Sequence, residues 1–118
     1  MLTIKKALHL SNLDYYKTHL SIINCILPQT MTPKEIEVMA GFMALEGDIA
    51  VYRFGPTAKK IIMKQVDISV SGLSNYIKSL TNKGFLIERG DMTDILPILM
   101  PEKEEQIYSL KLVNTGNG

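Results

Sequence analysis

Residues 56–84, PTAKKIIMKQVDISVSGLSNYIKSLTNKG, constrain the fold more than any other stretch of the chain. Pro56 suits a helix entry, and Ala58, Ile61, Ile62 and Val66 recur at helical spacing, which predicts a helix over about Thr57–Gln65 with those side chains turned inward. Asp67-Ile68 reads as a turn, with Ile68 a buried anchor. Ser69 is placed to cap a second helix that runs to about Asn82, and Gly84 supplies a left-handed stop. The second helix carries Leu73, Ile77 and Leu80 on one side and Ser71, Ser74, Asn75, Lys78 and Asn82 on the other. Tyr76, beside Ile77, is expected to pack inward with its hydroxyl at the edge of the core. Two amphipathic helices joined by so short a turn must pack against each other and against a third element.

That third element is predicted just upstream. Thr32-Pro33-Lys34-Glu35 holds a capping threonine, a proline at the first helical position and a glutamate three residues after the cap. Ile36, Val38, Met39, Phe42, Met43 and Leu45 then give a broad apolar face to about residue 46. Before it, Leu13, Tyr16, Leu20, Ile23 and Leu27 follow helical spacing behind Ser11 or Asn12 as cap, and Pro28 ends that helix. Leu2 to Leu10 is a strand or an arm. Gly47-Asp48 breaks the chain, Ile49 to Phe54 reads as extended, and Gly55-Pro56 is punctuation. After the helix pair, Phe85-Leu86-Ile87 is a strand, Arg89-Gly90-Asp91 a turn, and Asp94 to Met100 a second strand interrupted at Pro97, hence at an edge. Glu102 to Glu105 is a solvated turn, and Ile107 to Val113 alternates as a last strand should. The sequence divides into an arm and helix at 1–30, a domain at 31–113 and a mobile tail at 114–118.

At 118 residues the chain is one domain, long enough to bury roughly 65% of its unfolded surface without staples. Its single cysteine, Cys25, lies in the apolar stretch IINCIL and is expected in the core. No run of apolar residues approaches a membrane span or a secretory leader, so a soluble, cytoplasmic protein is expected. The net charge of +1 hides an uneven distribution: residues 53–89 carry seven Lys and Arg against two acids, while 31–52 and 90–118 are each net −3. The positive block coincides with the helix pair. His9, His19 and Cys25 match no zinc spacing, and no Ser/His/Asp set, phosphate loop or carboxylate pair stands out, so no enzymatic activity, metal or cofactor is expected.

Helices, a helix–turn–helix and then a hairpin form the winged-helix arrangement. The stretch VDISVSGLSNYIKSLTNKGFLI resembles the recognition-helix region of MarR-like winged-helix DNA-binding proteins of prokaryotic and bacteriophage type, and TPKEIEVMA resembles the helix that precedes it there. The likeness covers about residues 30–113. It implies an α+β, mainly α fold: a winged helix-turn-helix with an N-terminal helical extension and a C-terminal β-hairpin wing. It further implies sequence-specific binding of double-stranded DNA, in a transcriptional regulator with helix 69–82 in the major groove. Ser71, Ser74, Asn75 and Lys78 would then face bases, and Lys59, Lys60, Lys64, Asn82, Lys83 and Arg89 phosphates. Regulators of this class act as homodimers, for which the arm and the helix at about 12–27 are the candidates.

A Ser/Asn/Lys stripe also suits any solvated helix face. The second helix exposes no arginine, and the hairpin tip holds two acids against one arginine. These features suit a rival expectation: a protein-interaction or structural module in a phage particle or a larger assembly.

Overall fold

The computed structural model describes residues 2–116. Among these the chain forms five helices and one antiparallel hairpin: α1 (Asn12–Ile23), α2 (Pro33–Met43), α3 (Asp48–Val51), α4 (Pro56–Val66), α5 (Val70–Asn82), β1 (Leu86–Arg89) and β2 (Met92–Ile95). The fold is α+β and mainly α. No helix among the described residues is long and apolar enough to cross a membrane.

The centre of the molecule is α2, which packs against α1, α4 and α5. Ile36, Val38, Met39, Ala40, Phe42 and Met43 are all buried, so this helix is enclosed on nearly every side. Burying each of its large side chains contributes about 2 kcal/mol. Gly41 permits the close approach of α4, since a Cβ there would lie 3.0 Å from Ile62 Cδ1. The expected capping box is present: Thr32 Oγ1 accepts from Glu35 N at 3.2 Å, and Glu35 Oε1 accepts from Thr32 N at 2.8 Å. At the other end, Arg53 Nη1 donates to the carbonyls of Phe42, Met43 and Leu45, and Asn12 Nδ2 to that of Ala44. The guanidinium thereby answers the negative end of the helix dipole.

Glu35 reaches beyond its own cap. Its buried carboxylate accepts from Lys83 Nζ at 2.6 Å and from Ser79 Oγ at 2.6 Å, tying the start of α2 to the end of α5. Burial pushes the Glu35 carboxyl up, but the bonds from Lys83, Ser79 and the Thr32 amide together outweigh it and hold the group below its ordinary value.

Several extended segments foreseen from the sequence take other forms. Ile49–Phe54 is not a strand: α3 begins after Gly47 at φ 71°, and the following turn stacks Phe54 on Phe42 at 4.4 Å. Strand β2 is Met92–Ile95 rather than Asp94–Met100. A two-residue loop, Gly90-Asp91 with Gly90 at φ 61°, sets the register from Arg89↔Met92 to Leu86↔Ile95. A glycine with positive φ at the first loop position matches the turn that follows strand twist. Pro97 then opens a 3-10 turn that sends Leu99 into the core. Among the described residues Ile107–Val113 finds no strand partner and forms no strand. Leu2–Leu10 has no regular structure, which leaves the arm reading. Helix α1 stops at Ile23 and tightens into a 3-10 turn over Asn24–Ile26. Cys25 is therefore exposed instead of in the core, with Sγ donating to Ile22 O. Ile61 is also exposed, because the buried stripe of α4 is Ala58, Ile62 and Val66 and Ile61 lies one step round the helix. Of the foreseen tail, Asn114–Gly116 is exposed coil and residues 117–118 lie outside the described residues.

The C-terminal segment is pinned to α1. Buried His19 donates from Nε2 to the Leu99 carbonyl at 2.9 Å, which leaves Nδ1 to accept from the Tyr108 hydroxyl. Tyr15 donates to the Glu102 carbonyl at 2.6 Å. Burial lowers the His19 imidazole, partly opposed by the Leu99 bond, so the neutral form is held.

Two expectations follow from these charges. Lys83→Met leaves a buried carboxylate without its cation. It is expected to cost roughly 2–3 kcal/mol in urea unfolding at neutral pH, at the low end for such pairs because Lys83 is about a quarter exposed. The cost should shrink near pH 4, where the stranded carboxyl takes up a proton. In the native chain the Glu35 contribution is complete above its ordinary value of 4.5 and drains as pH falls through the lower folded value. For His19 the folded form resists protonation, so stability is complete above the ordinary 6.5 and falls as pH drops below it toward the depressed value. Urea midpoints compared between pH 7 and about pH 5.5 should therefore decline, and His19→Gln should flatten that decline.

Candidate functional site

The polar face of α5 is set by the turn before it. Helix α4 enters through Gly55-Pro56 and ends at Asp67, whose backbone is left-handed at φ 58°, ψ 59°. This reversal lets both Asp67 N and Ile68 N donate to Met63 O, closing the helix end. Ile68 is half-buried against the core, as an anchor should be. Ser69 is extended, and its Oγ accepts from Gly72 N at 3.1 Å, capping α5. The chain thus turns from one helix to the next in three residues, with both helix ends satisfied.

Leu73 and Leu80 seat α5 in the core, with Tyr76 and Ile77 partly buried beside them. The opposite side carries Ser71, Ser74, Asn75, Lys78 and Asn82, all exposed. Their spacing of three and four residues puts them on one face. Ser69 Oγ and Ser71 Oγ lie 3.2 Å apart, so the first turn presents two clustered hydroxyls. On α4, Lys60 and Lys64 are exposed and Lys59 is half-buried.

The cations of residues 53–89 divide into two sets. Arg53 caps α2. Lys83 binds Glu35 and also donates to Thr30 O at 2.9 Å. The sequence places Lys83 at a phosphate; in the structure its ammonium is bonded to the internal carboxylate of Glu35. Arg89 Nε lies 3.3 Å from Asp94 Oδ2 across the hairpin, so its charge too is answered within the chain. The remaining four, Lys59, Lys60, Lys64 and Lys78, are all on α4 and α5 and form no ion pair among the described residues.

One exposed residue beside the stripe escapes sequence reasoning. Val70, the first residue of α5, is 69% exposed. Its spacing to Leu73 and Ile77 is that of a core residue, so no signal in the sequence marks it as outward. It protrudes because the core ends one turn further along the helix.

A concavity of about 250 Å³ lies between the α3 turn and the hairpin, bordered by Tyr52, Arg53, Asp91, Met92 and Asp94. Among the described residues no three His, Cys, Asp or Glu side chains gather as a metal site. His19 is engaged with Leu99 and Tyr108. No protein family, curated protein or solved structure matches this chain.

The left-handed Asp67 is the point on which the presentation of α5 turns. Asp67→Gly is expected to leave stability within about 0.5 kcal/mol of the parent, whereas Asp67→Val, branched at Cβ, should lose roughly 1–2 kcal/mol. Thermal unfolding of the two variants checks this.

Proposed function

We propose that this chain binds double-stranded DNA as a winged helix-turn-helix protein, with α4 and α5 as the helix–turn–helix and the β1–β2 hairpin as the wing. The reading takes it as a transcriptional regulator of prokaryotic or phage type. The observation that supports it is the exposed stripe Ser71, Ser74, Asn75 and Lys78, on the helix pair that also carries the lysines left without internal partners. Placed in the major groove, α5 brings its first turns nearest the base edges. Ser71 and Ser74 offer a donor and acceptors to either purine, Asn75 fits the two-bond pattern of adenine, and Lys78 reaches a guanine edge. Val70, at the leading end, suits the methyl group of thymine. Lys59, Lys60 and Lys64 neutralise phosphates and set the register. Asn82 is a further neutral donor to the backbone, while Lys83 stays with Glu35 and Arg89 with Asp94.

A second reading, an interaction module within a phage particle or larger assembly, draws on a different surface. Val51, Tyr52 and Met92 are exposed around the α3–hairpin concavity, beside Asp91 and Asp94. A stoichiometric protein partner that survives nuclease treatment and is lost with Tyr52→Ser would favour it.

Selection from a random duplex pool, followed by fluorescence anisotropy at several salt concentrations, tests the DNA reading. Enrichment of a defined site is expected, with a slope of log K on log salt of about −3 to −4 for three or four phosphate contacts per copy. Asn75→Ala should cost about 1–3 kcal/mol on the selected site and leave non-specific binding nearly unchanged. Lys60→Ala should weaken both alike and reduce the slope by about one contact. Absence of binding at low salt removes the reading.

A further inference from the structure

Helix α1 carries a cleft that the core does not fill. Its volume is about 520 Å³, and three pieces of chain wall it: residues 6–10 of the arm, Tyr15, Thr18 and Ile22 of α1, and residues 104–108 of the C-terminal segment. That volume lies within the roughly 300–1,000 Å³ of small-molecule sites. Two of the walls are tied together, since Tyr15 donates its hydroxyl proton to Glu102 O and Tyr108 donates its own to His19 Nδ1. Leu8, Leu10, Ile22 and Ile107 give the cleft an apolar lining that remains open to solvent, at 62%, 40%, 40% and 77% exposure.

The polar groups around that lining are mostly of one kind. Each tyrosine has spent its proton on an internal acceptor, so both hydroxyl oxygens keep only lone pairs to offer. Gln106 Nε2 is engaged with Ile107 O. Glu104 and Glu105 are exposed, and neither forms an ion pair among the described residues. The one lysine of the cleft, Lys6, belongs to the arm wall and is also unpaired there, so two carboxylates outnumber one ammonium. We propose that this cleft binds a small amphipathic amine. Its alkyl or aryl body would lie on Leu8, Leu10, Ile22 and Ile107, and its protonated amino group at Glu104 and Glu105. An ammonium brings three donors to walls rich in acceptors, and the ring faces of Tyr15 and Tyr108 attract the same charge. An anionic ligand meets a complementary charge only at the arm. Because the two carboxylates are solvated, they supply selectivity, and the apolar lining supplies most of the affinity. Lys6 competes from the arm for the same carboxylates. The cleft involves neither α4 nor α5, so the proposal is independent of the DNA reading and goes beyond it.

Amide NMR titration of the full chain with phenylbutylamine gives the test, with phenylbutanol and phenylbutyrate as matched neutral and anionic probes. The amine is expected to shift the amides of α1 and of the segment around Glu104 to Tyr108, with a Kd of about 1 mM or below. It should bind about fivefold more tightly than the alcohol, with the carboxylate weakest. Glu104→Gln/Glu105→Gln should bring the amine to the affinity of the alcohol and leave the alcohol unchanged. Lys6→Ala should tighten the amine about twofold by removing its competitor. Ile22→Ala should weaken amine and alcohol alike, by about threefold or more. Amide positions of α2, α4 and α5 that match the parent show that each variant is folded. Absence of shifts up to about 10 mM amine overturns the proposal, as do shifts confined to another surface. So does a carboxylate that binds as tightly as the amine, or an amine affinity indifferent to Glu104→Gln/Glu105→Gln.

Discussion

The Glu35 carboxylate is charged where water does not reach it, and the relation between the core helix and the candidate recognition helix depends on that charge being answered. Removing a carboxylate from water costs several kcal/mol, and hydrogen bonds from Thr32 N, Ser79 Oγ and Lys83 Nζ offset the cost. Those donors come from two elements far apart in sequence. A capping box normally stabilises only its own helix; here the same glutamate also fixes the last turns of α5 against the first turn of α2. Leu73 and Leu80 place α5 in the core, but apolar contact is non-directional and tolerates sliding. The charged bonds have direction, and they tie the last turns of α5 to the start of α2.

The same allocation shapes the outer charge. Residues 53–89 are net +5 as a sequence, but their basic side chains are divided between internal and external duty. Arg53 closes the carbonyl end of α2, Lys83 neutralises Glu35, and Arg89 is matched by Asp94. What reaches solvent unmatched is lysine alone, on α4 and α5. Lysine is a flexible point charge and gives attraction with little orientation, whereas a guanidinium clamps a phosphate with two bonds. A surface of this kind assigns orientation to the short side chains Ser71, Ser74 and Asn75, held on a helix whose two ends are both capped.

Four of the five helices were readable because their signals are local. Thr32-Pro33-x-Glu35 announces a start, Ser69 a second one, Gly84 a stop, and the apolar spacing between them does the rest. The polar face of α5 was readable for the same reason. What escaped depended on distant partners. Lys83 and Arg53 look like any surface cations until Glu35 and the end of α2 arrive beside them. Val70 has the spacing of a core residue and lies past the end of the core. Cys25 sits among apolar neighbours in sequence, but the 3-10 turn after Ile23 swings it outward.

The extended segments form a class of their own. Alternation records a preference for a pleated, half-buried surface, and only a neighbouring strand converts it into structure. Strand β1 finds its partner across a two-residue turn, so the hairpin forms. Ile49–Val51 has no strand beside it and winds into a helical turn on the core. Ile107–Val113 has no strand beside it among the described residues and is held to the body only at Tyr108, and Leu2–Leu8 likewise finds no strand partner. A pattern of apolar side chains that no part of the same molecule covers is costly to leave in water. Helix α2 packs on α1, which carries the two ends, and on α5, which carries the polar stripe.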